Sequence, residues 1–230
     1  MIAVISDIHG CVNTLKKLVE EVRGKYPKIP LYCVGDLVDR GNFGFDVIEY
    51  VISKNIKFVP GNHDFMFYHF MKNPFSDMAR NWIYNGYETT LLSYDGHYDK
   101  LNEHLKLIEE VPMYYDLDDC FISHAGISIV FKNDIIINGK LDIPSLDKVV
   151  KDNLLSQDSI VWTRSELVNL SKLQIVGHTR KKEIQFVKKS NALYIDTSAY
   201  SGNKLTAVII DKNKMVDSIS EFTDDKDLLD

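Results

Sequence analysis

The chain has 230 residues, of which 45% are hydrophobic and 26% charged, with a net charge of −6. That make-up is ordinary for a globular protein and long enough for a sizeable core. The acidic balance argues against a resident nucleic-acid partner, which calls for a basic surface, and no apolar run approaches the ~20 residues of a membrane span.

Residues 1–6 read as a buried strand ending at Asp7-Ile8-His9-Gly10. Residues 14–23 place Leu15, Leu18, Val19 and Val22 at helical spacing. Pro27 and Pro30 bracket a turn, and Leu31–Val34 is a strand stopped by Gly35-Asp36. Residues 44–54 carry Phe45, Ile48, Val51 and Ile52 on one helical face, and Ile56–Val59 is the next strand, ended by Pro60-Gly61. This β-α-β-α-β order predicts parallel pairing with helices packed on the sheet. Residues 65–110 read as a helical insertion rich in aromatics. Strands return at Tyr114–Leu117, Cys120–Ser123, Leu173–Val176, Ile184–Val187, Ala192–Ile195 and Leu205–Ile210, and their crowding predicts a second, mixed sheet. Residues 131–160, polar and containing Pro144, read as loop and short helix. Residues 1–212 are expected to form one domain and 213–230 an acidic strand or tail, with Asp224-Asp225-Lys226-Asp227 solvated. Cys11, Cys33 and Cys120 are odd in number and widely spaced, as reduced thiols in a cytoplasm would be. Met1 to Ile5 is too short and uncharged for a signal peptide, so a cytoplasmic location is expected.

Five clusters carry chemistry: Asp7-Ile8-His9-Gly10, Gly35-Asp36-Leu37-Val38-Asp39-Arg40-Gly41, Gly61-Asn62-His63-Asp64, Ser123-His124-Ala125-Gly126 and Gly177-His178-Thr179. Each follows an apolar run, and ligands in open α/β sheets bind at the carboxyl ends of strands. Asp7 and His9, two apart, would share one side of a strand. A carboxylate with an imidazole suits a divalent transition ion. Asp36 can bridge two ions, with Asn62, His124 and His178 completing a second site. Such a pair lowers the pKa of a shared water and neutralises charge on phosphoryl oxygens. His63 is placed to protonate a leaving alkoxide, Asp39 to hold its tautomer, and Arg40 to fork onto phosphate oxygens. Taken singly, each residue has a plainer reading: an aspartate after a strand caps a turn, Asn62 forms one, and Asp39-Arg40 is a surface ion pair. His69, His97 and His104 lie outside the clusters and are left as structural. Five such clusters in order are not a coincidence.

These clusters resemble the calcineurin-like metallophosphoesterases. The run Gly-Asp-Leu-Val-Asp-Arg-Gly at 35–41 looks like the phosphoprotein phosphatase branch, closest to the small bacterial and bacteriophage serine/threonine protein phosphatases. Asn81-Trp82, Asn85-Gly86, Val161-Trp162-Thr163-Arg164 and Tyr194-Ile195-Asp196-Thr197 add to the likeness, which covers about residues 2–210. It implies an α/β fold of two sheets sandwiched between helices in α-β-β-α layers. It implies two divalent ions, manganese first, with iron, zinc or nickel as alternatives. Asp7 and His9 would bind one ion, Asn62, His124 and His178 the other, with Asp36 between them. His63 and Asp39 would be catalytic, and Arg40, Arg164 and Asn62 would hold phosphate. The expected activity is hydrolysis of phosphate monoesters by a metal-bridging hydroxide, on a phosphoprotein or small phosphorylated substrate. The alternative is hydrolysis of diadenosine tetraphosphate or another dinucleoside polyphosphate. Pro60 stands where protein phosphatases commonly have arginine, and Asp64 where many have glutamate. Both features also resemble the diadenosine tetraphosphate hydrolases, although those often lack a carboxylate at the position of Asp39. An intact donor set and His63 count against a catalytically silent scaffold.

Overall fold

In the computed structural model, which describes residues 1–228, the expected β-α-β-α-β order opens the chain. β1 (Ile2–Ile5), α1 (Val12–Lys25), β2 (Leu31–Cys33), α2 (Gly44–Ser53) and β3 (Lys57–Phe58) follow one another, and the three strands pair in parallel. Four helices fill the expected insertion: α3 (Asn62–Lys72), α4 (Asp77–Ile83), α5 (Glu88–Ser93) and α6 (Leu101–Glu110). α3 begins three residues earlier than expected, so Asn62 and His63 sit in its first turn. Then come β4 (Tyr114–Asp116), β5 (Phe121–Ser123), α7 (Lys132–Ile135), the hairpin β6 (Ile136–Ile137) and β7 (Lys140–Leu141), and α8 (Ile143–Asp152). The remaining strands are β8 (Gln174–Val176), β9 (Gln185–Val187), β10 (Ala192–Tyr194), β11 (Lys204–Asp211) and β12 (Lys214–Phe222). Among the described residues, no helix is long and apolar enough to cross a membrane.

Two five-stranded sheets result, in the orders β12-β11-β1-β2-β3 and β4-β5-β8-β10-β9. The second is mixed, as expected. β11 is not part of it: it pairs antiparallel with β1, Val4 facing Val208 in the register. Its apolar run reads the same for either sheet, and the choice rests on a partner some two hundred residues away.

Period-two alternation along the strands explains the layers. Ile2 and Val4 of β1 and Val208 and Ile210 of β11 pack against Ile122, Ile175 and Leu193 of the second sheet. Ala3, Ile5, Ala207 and Ile209 turn the other way, onto Leu15, Leu18 and Val22 of α1. The inter-sheet side chains are almost all aliphatic, each worth about 1.5–3 kcal/mol on burial. A charge at Val4 would therefore split the sandwich. Phe121 on the outer face of the second sheet meets Ile135, Leu146, Ile160 and Val161. Residues 131–160 thus contain the expected short helices, α7 and α8, together with a hairpin and an apolar cluster that their polar composition did not announce.

Candidate metal centre

β1 ends at Ile5, so Asp7 and His9 lie in the loop beyond it and strand alternation does not align them. The backbone does so instead. His9 has φ 47°, Asp36 50°, Asp39 69°, Arg40 74° and His178 61°, all in the left-handed region. Such conformations cost on the order of 1–3 kcal/mol each and persist only where the surroundings over-determine them. Here the N–H groups of Ile8 and His9 both donate to the Asp36 carbonyl. The His63 N–H donates to Asp36 Oδ1 at 2.9 Å, and the His178 N–H to Asp7 Oδ2 at 2.9 Å. Gly61 and Gly177 make this possible, because a Cβ at either would overlap the carboxylate of Asp36 or Asp7 respectively.

The imidazole tautomers follow from backbone carbonyls. His124 Nδ1 lies 2.8 Å from the Val34 carbonyl and His178 Nε2 3.1 Å from that of Trp162, so these nitrogens carry the protons. The opposite nitrogens present lone pairs to Asn62 Oδ1, at 3.0 Å from His124 and 2.8 Å from His178. Three acceptors converge with no proton between them. His9 Nδ1 likewise donates to the Val38 carbonyl at 3.0 Å, leaving Nε2 directed toward Asp36 Oδ2 at 3.4 Å. Burial lowers the pKa of His9 and His124, and that of His178 to about 3 with help from His124 and Arg164. All three are therefore neutral and able to ligate. Asp7 Oδ1 is buried without a hydrogen-bond partner. Burial, with Asp196 and Asp36 nearby, pushes the Asp7 carboxyl well above the ordinary range. Opposed acceptors and an unmatched carboxylate are what a cation would satisfy. Ligand atoms of His9, Asp36 and His63 lie within 4.8 Å of one another, as do those of Asp7, Asp36 and His124. Two clusters thus share Asp36, and the donor set fits divalent ions.

Beside them His63 Nδ1 lies 2.6 Å from Asp39 Oδ2, which leaves Nε2 free. Asp39 is fully buried and also accepts from Trp82 Nε1 at 2.7 Å and Thr90 Oγ1 at 2.5 Å. It is not the partner of Arg40. Arg40 Nη1 approaches His9 Nε2 at 3.0 Å, and its guanidinium lies over the Tyr200 ring, 4.4 Å from the centroid. Arg180 flanks the same ring at 5.7 Å and donates to the Tyr200 hydroxyl at 2.7 Å. Arg164 is exposed and reaches the His178 carbonyl at 3.5 Å. Every residue singled out from the sequence is therefore at one locus.

Others there had been given no role from the sequence. Asp64 ties Gly61, Leu37 and Val38 together through their N–H groups. Asp196, pushed up to about 6 chiefly by burial, follows β10 just as Asp36 follows β2. Its place at a strand end was the signal that pointed to it. Trp82 entered only through the Asn81-Trp82 likeness, and nothing local marks Thr90 or Tyr200. His104 is buried between Tyr94 and Glu49, away from the centre, and is structural as expected.

A two-sheet sandwich with carboxylates, imidazoles and arginines gathered past its strand ends is the architecture of a metallohydrolase. The chain belongs to the calcineurin-like phosphoesterase family, which it matches over residues 1–197. It is 29% identical over 233 aligned positions to the asymmetrical bis(5'-nucleosyl)-tetraphosphatase PrpE of Bacillus subtilis (strain 168), covering 88% of each chain. Identity to the same enzyme of Anoxybacillus flavithermus is 28%, over 89% of this chain and 88% of that one. Among solved structures, the cold-active protein-tyrosine phosphatase of a psychrophilic Shewanella species superposes with a TM-score of 0.65 at 14% identity. That superposition covers 97% of this chain and 80% of the other, and the likeness is one of fold.

Proposed function

We propose that this phosphoesterase cleaves a phosphoanhydride bond in a dinucleoside polyphosphate such as diadenosine tetraphosphate. The observation that carries the reading is the cationic track leaving the centre: Arg40 against His9, Tyr200 between Arg40 and Arg180, then Lys181 and Lys182 on a neighbouring cleft. A polyphosphate carries negative charge beyond the scissile group, and charge brought into a cleft unpaired is costly. The names of the relatives support the same substrate class. Phosphomonoester hydrolysis on a phosphoprotein, the activity first expected, is the competitor, since Arg40, Arg164 and Asn62 suffice for a terminal phosphoryl group. It leaves Arg180 and its neighbours without a task.

In this reading Asp7 and His9 hold one divalent ion, Asn62, His124 and His178 a second, and Asp36 lies between them. Manganese is the first choice for oxygen and imidazole donors without thiolate. Bound ions supply Lewis-acid polarisation of phosphoryl oxygens and an acidified water. His63, held by Asp39, presents Nε2 to protonate the departing oxygen. Arg40 and Arg164 grip the scissile phosphoryl group and Arg180 the next phosphates.

The test is kcat/KM for diadenosine tetraphosphate and for a phosphoserine peptide with saturating manganese. The nucleotide is expected to win by at least about tenfold, the equivalent of one charge-assisted contact. Replacing Arg180 and Lys181 by alanine should remove that advantage and spare the peptide. A peptide turned over as efficiently as the nucleotide would sink the proposal.

A further inference from the structure

Arg40 has a second side. A cleft of about 560 Å³ opens there, lined by Arg40, Tyr84, Asn85, Tyr200 and Leu228 among others. That volume lies within the range of small-ligand sites. Tyr84 is 86% exposed, and among the described residues its ring has no aromatic partner and its hydroxyl no hydrogen bond. Such exposure would be unremarkable on a loose loop, but this turn is tied down on both sides. Trp82, two residues before, donates to the buried Asp39. Gly86, two residues after, accepts from the Arg40 N–H at 3.2 Å. Asn85 uses its amide nitrogen on the Asn81 carbonyl at 2.7 Å, which leaves its carbonyl oxygen as an acceptor. An unpartnered aromatic, an aliphatic side chain and a spare acceptor are thus fixed beside a phosphate-binding guanidinium.

We propose that this cleft is a nucleobase subsite. A base stacks on Tyr84 and packs against Leu228, while the phosphate attached to its ribose engages Arg40. Asn85 offers its carbonyl to an exocyclic amine. The proposal rests on the polyphosphate reading of the centre and adds what recognises the nucleoside. Stacking on one aromatic side chain is commonly worth about tenfold or more in affinity. The same cleft separates substrates that share a phosphate chain but differ in carrying a base.

The experiment is equilibrium binding to manganese-loaded protein, with no turnover involved. The probes are α,β-methylene ADP and methylenediphosphonate, which have similar non-hydrolysable phosphonate groups and differ by the nucleoside. Intact protein should bind the nucleotide about tenfold tighter or more. Tyr84→Ala should reduce that preference to threefold or less, and Tyr84→Phe should keep it. An exposed side chain permits both changes, and an unaltered melting temperature checks that the fold is intact. Equal affinity for the two probes in the intact protein, or a preference that survives Tyr84→Ala, overturns the subsite. Because turnover is not read, failure of the polyphosphate reading in the rate comparison stays separate from failure of the subsite here.

Discussion

His63 and Asp39 make the residue-scale argument, because one buried contact decides what both can do. Asp39 Oδ2 accepts from His63 and Trp82, while Oδ1 accepts from the Thr90 hydroxyl. His63→Asn removes the proposed proton donor and leaves the carboxylate with its other two partners. On an alkyl phosphate kcat should fall by about 10²–10⁴, the usual range for a general acid. On diadenosine tetraphosphate the loss should be smaller, because the leaving group is an already acidic phosphate. Equal losses on both substrates would assign His63 another job. Asp39→Asn can keep its oxygen toward His63 and Trp82 and turn its new N–H₂ toward Thr90, whose hydroxyl can accept. The imidazole stays oriented but loses a negative neighbour, so kcat should fall by only about tenfold on the alkyl ester. Steady-state rates for the two variants on the two substrates check both statements.

At the scale of elements, α1 is capped from far along the chain. Its N-cap, Cys11, provides no side-chain hydrogen bond. Asp227 does that work: it accepts from the Asn13 N–H at 3.0 Å, Asn13 Nδ2 at 2.9 Å, the Thr14 N–H at 2.8 Å and Thr14 Oγ1 at 2.6 Å. Of the run 224–227, expected to be solvated, Asp225 and Lys226 are exposed but Asp227 is fully buried. A carboxylate at a helix N-terminus meets both the orphan N–H groups and the positive end of the dipole. The Asp227 carbonyl also accepts from the Asn42 N–H at 3.0 Å, bracing the loop that carries Arg40. Asp227→Ala leaves buried donors unmatched and should cost about 3 kcal/mol. In a chain of this size that lowers Tm by about 6–12 °C. KM should rise as well, through the loosened Arg40 loop, and calorimetry with steady-state kinetics would show both. A Tm within about 2 °C of the parent, instead of the roughly 6–12 °C drop expected, would show that the docking is incidental.

For the molecule as a whole, the centre couples stability to pH and to metal. Asp7 is pushed well above the usual carboxylate range by burial, and Asp64 to about 7 by burial with Asp36 beside it. A raised folded-state pKa adds stability below the unfolded value and withdraws it as pH rises through the folded one. His9, His124 and His178 act oppositely, but above their ordinary value of 6.5 they are neutral in both states and contribute no slope. Metal-free protein should therefore lose stability between pH 6.5 and 8, as the folded state is forced to give up protons that it holds more tightly than the unfolded chain. A bound divalent ion, manganese in the proposed reading, would replace the protons on its carboxylate ligands. At about one hundred times its dissociation constant it should add about 2.7 kcal/mol. That raises Tm by about 5–11 °C and removes the decline. Thermal melts of chelated and manganese-loaded protein across this range test the coupling, and a metal-free Tm that is flat or climbing would contradict it.

The candidate donor residues that meet at the centre, the parallel start of the first sheet and the presence of a second were legible in the amino-acid order. Helical and strand periodicities are local, and carboxylate or imidazole chemistry is a property of the residue type. Three things were not local. β11 chose β1 over the second sheet through a ladder between opposite ends of the chain. The lone pairs of His124 and His178 point at Asn62 only because the carbonyls of Val34 and Trp162 hold the other nitrogens. Trp82, Thr90, Tyr200 and Asp227 acquire their roles from partners 43, 51, 160 and 214 positions away: Asp39 for the first two, Arg40 for Tyr200 and Asn13 for Asp227.

 The physical reason is the same in each case. A buried donor or acceptor must be matched by whatever group the packed chain brings to it, and one-dimensional order does not say which group that is. The chemistry of this centre was therefore written in its residue types, whereas its tautomers, its left-handed backbone turns and the cap on α1 were decided only when the two sheets closed on each other.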